Sequence, residues 1–243
     1  MSTEMEIVDL RERGKAKDGT PLFSDRRLYV QFLAFSDCRD PEPLAQALEA
    51  FRQPGALYLD LNDPWGVGLV LFHENPEFFT GEVRRFLNES PFADLTFQPE
   101  LAMFGRTYSI GYEWDMDEVL LQRPASRILD PGYPWAVWYP VRRTKAFEAL
   151  PEPEKHDVLM DHGNIGKLFG KAGIAQDIRL ACHGMDRNDN DFIIGVVAKE
   201  LAGASAVVQA MRKSLQTMHH LDNLGPFFTG RVFRQFPAFK EKR

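Results

Sequence analysis

The order of predicted secondary-structure elements constrains the fold of this chain most strongly. Residues 27–35, 56–61 and 66–72 are rich in apolar, β-branched and aromatic side chains, as is typical of buried strands. Segments with helical spacing of apolar residues alternate with them in the order β-α-β-β-α-β, and this order recurs after residue 132. We therefore predict an α+β fold of two ferredoxin-like halves, of the dimeric α+β barrel type, whose antiparallel sheets pack face to face.

Breaks in this pattern divide the chain into four parts. Residues 1–26 are polar, contain a turn signal at Gly19, and are predicted to form an N-terminal arm. Residues 27–110 are predicted to form the N-terminal ferredoxin-like half. Residues 111–132 have no clear period and are predicted to link it to the C-terminal ferredoxin-like half, residues 133–243.

The composition argues against two kinds of partner. The 243 residues carry a formal net charge of -6, and Lys and Arg cluster only in pairs, so no basic stripe is available to bind nucleic acid. The longest apolar runs are far shorter than the roughly 20 residues that a membrane span needs, and the N-terminus lacks a hydrophobic signal region. We expect a cytoplasmic protein whose two cysteines, Cys38 and Cys182, are reduced.

A predicted helix over residues 152–170 carries a histidine on its apolar stripe. The stripe consists of Val158, His162, Ile165 and Phe169, at spacings of four, three and four residues. A histidine in this position usually hydrogen-bonds a backbone carbonyl. The alternative is that a neutral imidazole on an apolar wall ligates the iron of a porphyrin, which needs both the flat wall and the nitrogen.

Two predicted strands of the C-terminal half carry polar residues among apolar ones. Alternation places Tyr139 on one face of its strand with Val137, either as an ordinary sheet tyrosine or as part of a site. In residues 174–182, Gln176 is the polar residue on the apolar face, and a buried amide costs a few kcal/mol unless it is paired. A bound ligand is therefore a reasonable partner for Gln176.

The last predicted helix, residues 204–218, has an apolar stripe with Arg212 at its edge. An arginine beside a cavity is suited to binding carboxylates, although a surface ion pair is the commoner arrangement. The helix therefore leaves both interpretations of Arg212 open.

Four motifs resemble the haem-binding half of the chlorite dismutase family, and in particular its coprohaem decarboxylase branch. They are MDHGNIGKLFG, WYP, MRKSLQT and LGPFFTG, and the similarity covers residues 133–232. The resemblance implies two ferredoxin-like halves per subunit, a homo-oligomer that is usually a pentamer, and haem b or iron coproporphyrin in the C-terminal half. It also implies that His162 ligates the iron and that Tyr139 carries a radical that attacks propionate side chains. The positions that would hold the propionates are Arg123, Lys167, Arg212 and Thr217.

The resemblance leaves two neighbouring candidates for the polar residue on the distal side of the porphyrin. Counting from flanking motifs gives Gln176 or Asp177, and alternation favours Gln176 because it shares the apolar face. Arg179 then points the other way, which disfavours chlorite chemistry, because chlorite-degrading members carry an arginine there. The glutamate that often hydrogen-bonds the proximal histidine in the family is absent near Leu215, so the partner of His162 stays open.

The function implied is that of a haem-binding oxidoreductase in haem biosynthesis. The expected reaction is the hydrogen-peroxide-dependent oxidative decarboxylation of iron coproporphyrin to protohaem. One alternative is a haem peroxidase or chlorite-degrading enzyme. The other is a non-enzymatic haem carrier or sensor.

Overall fold

A computed structural model describes residues 8–237 of the chain. Its strands are β1 (Glu12–Lys15), β2 (Pro21–Ser24), β3 (Tyr29–Ser36), β4 (Gly55–Asp60), β5 (Val67–His73), β6 (Thr96–Arg106), β7 (Trp135–Arg143), β8 (Ala175–Ala181), β9 (Phe192–Ala198), β10 (Leu221–Leu224) and β11 (Phe228–Phe236). Its α-helices are α1 (Glu42–Phe51), α2 (Arg84–Glu89), α3 (Arg123–Ile128), α4 (Lys145–Glu148), α5 (Glu152–Lys171), α6 (Leu201–Met211) and α7 (Leu215–His219). One π-helical turn precedes α2 (Phe79–Val83) and another precedes α3 (Glu118–Gln122), and a 3-10 turn spans Pro91–Asp94.

Eight strands form two four-stranded antiparallel sheets of the same topology, and β10 pairs with the end of β7. The N-terminal sheet has the order β4-β5-β3-β6 and the C-terminal sheet the order β8-β9-β7-β11. In each sheet, the two central strands are the first and the third of these four strands in sequence order. The predicted α+β fold with two ferredoxin-like halves is confirmed. One detail differs from the expectation of two sheets packed face to face, because β4 pairs with β11 and β6 pairs with β8. The first pairing runs along six residues of β4 and the second is a single residue pair, and together they close the two sheets into one barrel.

The barrel interior is filled by inward-facing side chains from both halves. Phe32 lies against Phe228, with ring centroids 4.7 Å apart, and the fully buried Trp138 stacks on Phe32 at 5.8 Å. A Cβ atom at Gly195 would lie 2.6 Å from the Trp138 ring, so only glycine leaves room for the indole there. Leu120, from the segment predicted as a linker, packs against the same interior cluster. That segment therefore contributes to the core.

Helices cover the outer faces of both sheets. On the N-terminal sheet, α1 buries Leu44 and Leu48, and the π-helical turn before α2 buries Phe79 and Val83 in the same apolar cluster. On the C-terminal sheet, α5 and α6 pack against the outer faces of β7, β8 and β9.

The structure differs from the sequence predictions in two segments, the predicted last helix and the predicted N-terminal arm. The predicted helix over residues 204–218 is two helices, α6 and α7, because the Ser214 side chain accepts a hydrogen bond from the Thr217 backbone and begins a new helix. In the predicted arm, β1 and β2 form a hairpin, and Glu12 binds Arg106 at 2.6 Å and the backbone of Ser109 at 3.0 Å.

Some expectations lie beyond what the structure describes. Residues 1–7 of the predicted arm and 238–243 of the predicted C-terminal half are outside the described residues. The four-part division of the chain stays a prediction. Within residues 8–237, no helix is long and apolar enough to cross a membrane.

Candidate functional site

The gap between the C-terminal sheet and its helices brings together most of the predicted site residues. Val137 and Tyr139 share the outer face of β7, as alternation predicts, and pack in one cluster with Val196 of β9 and Val207 of α6. The helices α5 and α7 lie beside this cluster and carry His162 and Thr217.

His162 lies on the same face of α5 as the buried Val158, about one helical turn after it. Its Nδ1 atom is 3.1 Å from the hydroxyl of Ser214, which is 1% exposed. Burial lowers the pKa of His162, and the nearby charges of Arg143 and Arg179 lower it further, so the ring is neutral at pH 7. The hydrogen-bond partner of His162 is therefore the Ser214 hydroxyl. It is not a backbone carbonyl, which is the commoner partner of a buried histidine.

The hydrogen bonds of Ser214 connect His162 to Thr217. The Ser214 hydroxyl accepts a hydrogen bond from the Thr217 backbone at 3.4 Å and donates to Thr217 Oγ1 at 3.3 Å. A Ser214 hydroxyl that donates to Thr217 accepts from Nδ1–H of the imidazole. Nε2 is left with a free lone pair, which is the form in which histidine binds a metal. Thr217 therefore acts on the site through Ser214.

Tyr139 is a buried tyrosine whose hydroxyl has no partner within residues 8–237. The residue is 5% exposed and its ring stacks on Phe227 with centroids 4.5 Å apart. Burial raises the pKa of Tyr139, Asp177 adds to the rise, and Arg212 opposes it. The hydroxyl of this phenol is therefore available to bind a polar group of a ligand.

Arg143 is a site residue that the sequence reasoning missed. Its guanidinium group lies between Phe147, at 4.6 Å, and Phe192, at 4.4 Å, and forms no ion pair with any described residue. Its Nε atom is buried without a partner, and burial lowers the pKa of the group. The alternation that places Tyr139 on the outer face of β7 also places Arg143 there, so the signal was present in the sequence.

The structure does not support the choice of Gln176 as the distal residue. Gln176 is paired with Val197, which packs in the barrel interior, whereas Asp177 is paired with Val196, which packs in the cluster of Tyr139. The apolar face of β8 is thus the inside of the barrel, and the site lies on the opposite face. Arg179 shares that opposite face with Asp177, so the argument against a distal arginine fails as well.

Asp177 is held by two arginines. Arg179 Nε lies 3.1 Å from Oδ2, and Arg127 Nη1 lies 3.2 Å from Oδ1 and also donates to the backbone carbonyl of Asp177. Asp177 adds to the rise of the Tyr139 pKa and opposes the lowering of the His162 pKa.

The other residues predicted to hold propionates differ in position. Arg212 is exposed and its guanidinium lies 5.8 Å from the ring of Phe227, beside Tyr139. Arg123 pairs with Glu118 at 3.3 Å and lines a small cavity that also contains Asp177. Lys167 is exposed and follows His162 by five residues, so it points about 140° away around the helix and does not share the histidine face.

The wall beside His162 suits a flat ligand. A Cβ atom at Gly163 would meet no atom within 4 Å, and one at Gly166 would meet only the Met211 methyl at 3.5 Å. At these two positions next to the imidazole the helix therefore carries no side chain that would hold a planar group away. A neutral histidine, an apolar wall and an arginine without an ion partner are together the groups that an iron porphyrin with propionates would need.

Comparisons with known proteins agree with this architecture. Among solved structures, a haem-binding protein from Thermus thermophilus is 17% identical, covers 86% of this chain and 92% of its own, and has a TM-score of 0.68. A mutant chlorite dismutase from Candidatus Nitrospira defluvii in complex with cyanide is 14% identical, covers 87% and 92%, and has a TM-score of 0.66. These likenesses show the shared fold.

No curated protein sequence matches the chain. The model of the family described as chlorite dismutase matches residues 69–233, which is more than half of the sequence. The chain therefore belongs to the chlorite dismutase family.

Proposed function

We propose that the protein is a haem-dependent oxidoreductase that converts iron coproporphyrin to protohaem with hydrogen peroxide. The observation that carries the proposal is the position of Tyr139, a residue that is 5% exposed, has no hydrogen-bond partner for its hydroxyl among the described residues and lies on the sheet face covered by the His162 helix. A bound iron porphyrin would supply the redox chemistry, and the protein would supply orientation and charge.

His162 would hold the iron through Nε2. The Ser214 hydroxyl keeps the imidazole neutral and oriented, as partners of metal-bound histidines usually do. A hydroxyl is a weaker acceptor than the glutamate found in many family members, so the imidazole would donate less electron density to a bound iron. This arrangement favours a moderate oxidant at the site over a strong one.

Tyr139 would act on a propionate placed beside it. Burial raises the pKa of Tyr139, so the phenol keeps its proton at neutral pH. Arg143, which forms no ion pair with any residue from 8 to 237, and Arg212 would hold the carboxylates. For each propionate that becomes a vinyl group and carbon dioxide, one molecule of hydrogen peroxide is reduced to water.

The test is a titration with iron coproporphyrin followed by addition of hydrogen peroxide. We expect a shift of the Soret band on binding and a mass loss corresponding to carbon dioxide and hydrogen at each reacting propionate. The Tyr139→Phe variant should bind the porphyrin with wild-type affinity and retain both propionates. Binding without any loss of propionate in the wild type would reject the decarboxylase, and absence of binding would reject the haem proposal as a whole.

A chlorite-degrading activity is the second candidate, because Arg179 shares the face of β8 that carries Asp177. Release of oxygen from chlorite by the haem-loaded protein, and its loss in Arg179→Gln, would favour this candidate. A haem carrier or sensor would bind the porphyrin and show neither reaction. A cytoplasmic location and a homo-oligomer, with a pentamer as the family form, stay predictions.

A further inference from the structure

Two consecutive residues of helix α5 bind two consecutive residues at the start of α7. The backbone N–H of Leu215 donates to Oδ2 of Asp161 at 2.9 Å, and Nδ1 of His162 lies 3.1 Å from the hydroxyl of Ser214. The first contact spans 54 residues of sequence and the second 52. Two neighbouring side chains of α5 therefore hold the start of α7, and only His162 has a role in the proposed function.

The hydrogen bond from Leu215 to Asp161 is one that helix α7 cannot supply from its own backbone. Ser214 is the N-cap of α7, so Leu215 is the first residue of the helix, and the first N–H groups of a helix have no partner within it. The Ser214 side chain accepts from Thr217, which leaves the N–H of Leu215 to Asp161. Because the acceptor is a carboxylate, this hydrogen bond is about twice as strong as one between neutral groups.

We infer that Asp161 is a positioning residue that holds the Ser214 hydroxyl against the imidazole of His162. The inference rests on the proposed haem function, in which His162 binds iron and Ser214 is its hydrogen-bond partner. Leu215 directly follows Ser214, so the contact with Asp161 fixes the backbone beside the serine. Among residues 8–237, Asp161 forms no ion pair and no other hydrogen bond, so no second partner draws its carboxylate away from α7.

The hold on α7 would affect the electron density that the imidazole gives to a bound iron. A hydrogen-bond acceptor at Nδ1–H makes a metal-bound histidine more basic, and this effect depends on the distance between His162 Nδ1 and Ser214 Oγ. Without Asp161, the start of α7 can move away from α5 and the imidazole loses its acceptor. The iron–histidine bond should then weaken, and the reduction potential of the bound iron should rise.

The first measurement is made on the haem-free protein and compares variants of Asp161 with a matched variant of Asp157. Asp157 lies one helical turn earlier on α5, carries the same charge, is exposed and forms no hydrogen bond or ion pair with any described residue. In Asp161→Ala, the amides of α7 should exchange with solvent about 10-fold faster, which is the lower end of the effect of losing a hydrogen bond to a charged group. Asp161→Asn keeps an acceptor oxygen and should recover part of the protection, whereas Asp157→Ala should match the wild type.

The second measurement is made on the haem-loaded protein. Resonance Raman spectroscopy of the ferrous form gives the iron–histidine stretching frequency, and a redox titration gives the reduction potential. Asp161→Ala should lower the frequency and raise the potential, as Ser214→Ala should. Because Asp161 acts through Ser214, adding Asp161→Ala to Ser214→Ala should change neither quantity further. If Asp161→Ala does not fold, Asp161→Asn should show the same shifts at a smaller size.

Three results with haem bound would overturn the positioning role. An unchanged stretching frequency in Asp161→Ala, together with faster exchange in α7, would show that Asp161 only caps the helix. Equal shifts in Asp161→Ala and Asp157→Ala would assign the effect to charge alone. A double variant in which the shifts of Asp161→Ala and Ser214→Ala add would show that Asp161 does not act through the serine.

Failure of the wild type to bind haem would overturn the proposed function and leave the contact between α5 and α7 to be judged in the haem-free protein. Nitrogen NMR of the His162 ring reports the hydrogen bond at Nδ1. Asp161→Ala should shift this signal in the same direction as Ser214→Ala. A signal that stays at the wild-type position in Asp161→Ala and moves in Ser214→Ala would overturn the role of Asp161.

Discussion

The two halves of the barrel have the same topology and different outer faces. In the N-terminal half, α1 and the turn before α2 fill the outer face with apolar side chains, such as Leu48 and the stacked rings of Phe51 and Phe86, whose centroids are 4.3 Å apart. In the C-terminal half, α5 contributes one buried apolar residue, Val158, and the same gap contains His162 and Tyr139. One ferredoxin-like unit thus uses its helix–sheet gap as a core and the other as a site.

Truncating the N-terminal core should have the largest effect on stability. Leu48 is 1% exposed, and Leu48→Ala should lower the free energy of unfolding by about 2–5 kcal/mol, because it leaves a cavity in a packed core. Met211→Ala, in the half-buried layer around the site, should cost less than about 2 kcal/mol. Denaturant unfolding measures both, and an equal loss for the two variants would contradict the contrast between the halves.

Removing the proposed iron ligand should greatly weaken haem binding and hardly change the free energy of unfolding. His162→Ala should weaken haem binding more than about 100-fold, which exceeds the usual effect of losing a ligand's hydrogen-bond partner, and should leave the unfolding transition within about 1 kcal/mol of the wild type. Spectroscopic titration with haem measures the first quantity. Unchanged haem affinity in this variant would place the cofactor elsewhere.

Two serine caps provide a smaller and closely matched test. Ser214 caps α7 and bonds His162, whereas Ser90 caps the turn at Pro91–Asp94 and accepts only from Phe92, at 3.3 Å. Each change to alanine should cost about 1 kcal/mol of stability. Only Ser214→Ala should also weaken haem binding, by about 10-fold or more. Equal haem affinity in the two variants would show that Ser214 is a cap alone.

The smallest effect concerns pH. Burial lowers the pKa of His162, so in the folded, haem-free protein the ring stays neutral where an unfolded histidine takes up a proton, below about pH 6.5. The contribution of His162 to stability is therefore present above this pH and is lost as the pH falls. Unfolding measured on both sides of pH 6.5 should show a smaller pH dependence in His162→Gln than in the wild type.

The sequence predicted the fold and part of the site, for reasons that individual residues show. The spacing of apolar residues predicted helix α5 and the strand face that carries Tyr139, and the structure has both. Gln176 was favoured because alternation separates two faces of a strand but does not say which face turns into a closed barrel, and the structure places Gln176 on the interior face. Ser214 was missed because its contact with His162 spans 52 residues and depends on a helix break that composition does not reveal.

The two joints between the halves differ in extent. Strand β4 meets β11 along residues 55–60, whereas β6 meets β8 through a single residue pair, Arg106 and Ala181. The backbone along the second joint has the fewest cross-strand restraints, so its amides should exchange with solvent before those of the first. Asp177 and Tyr108 lie on the two sides of that joint, and slight parting there would widen the entrance to the cavity without unfolding either half.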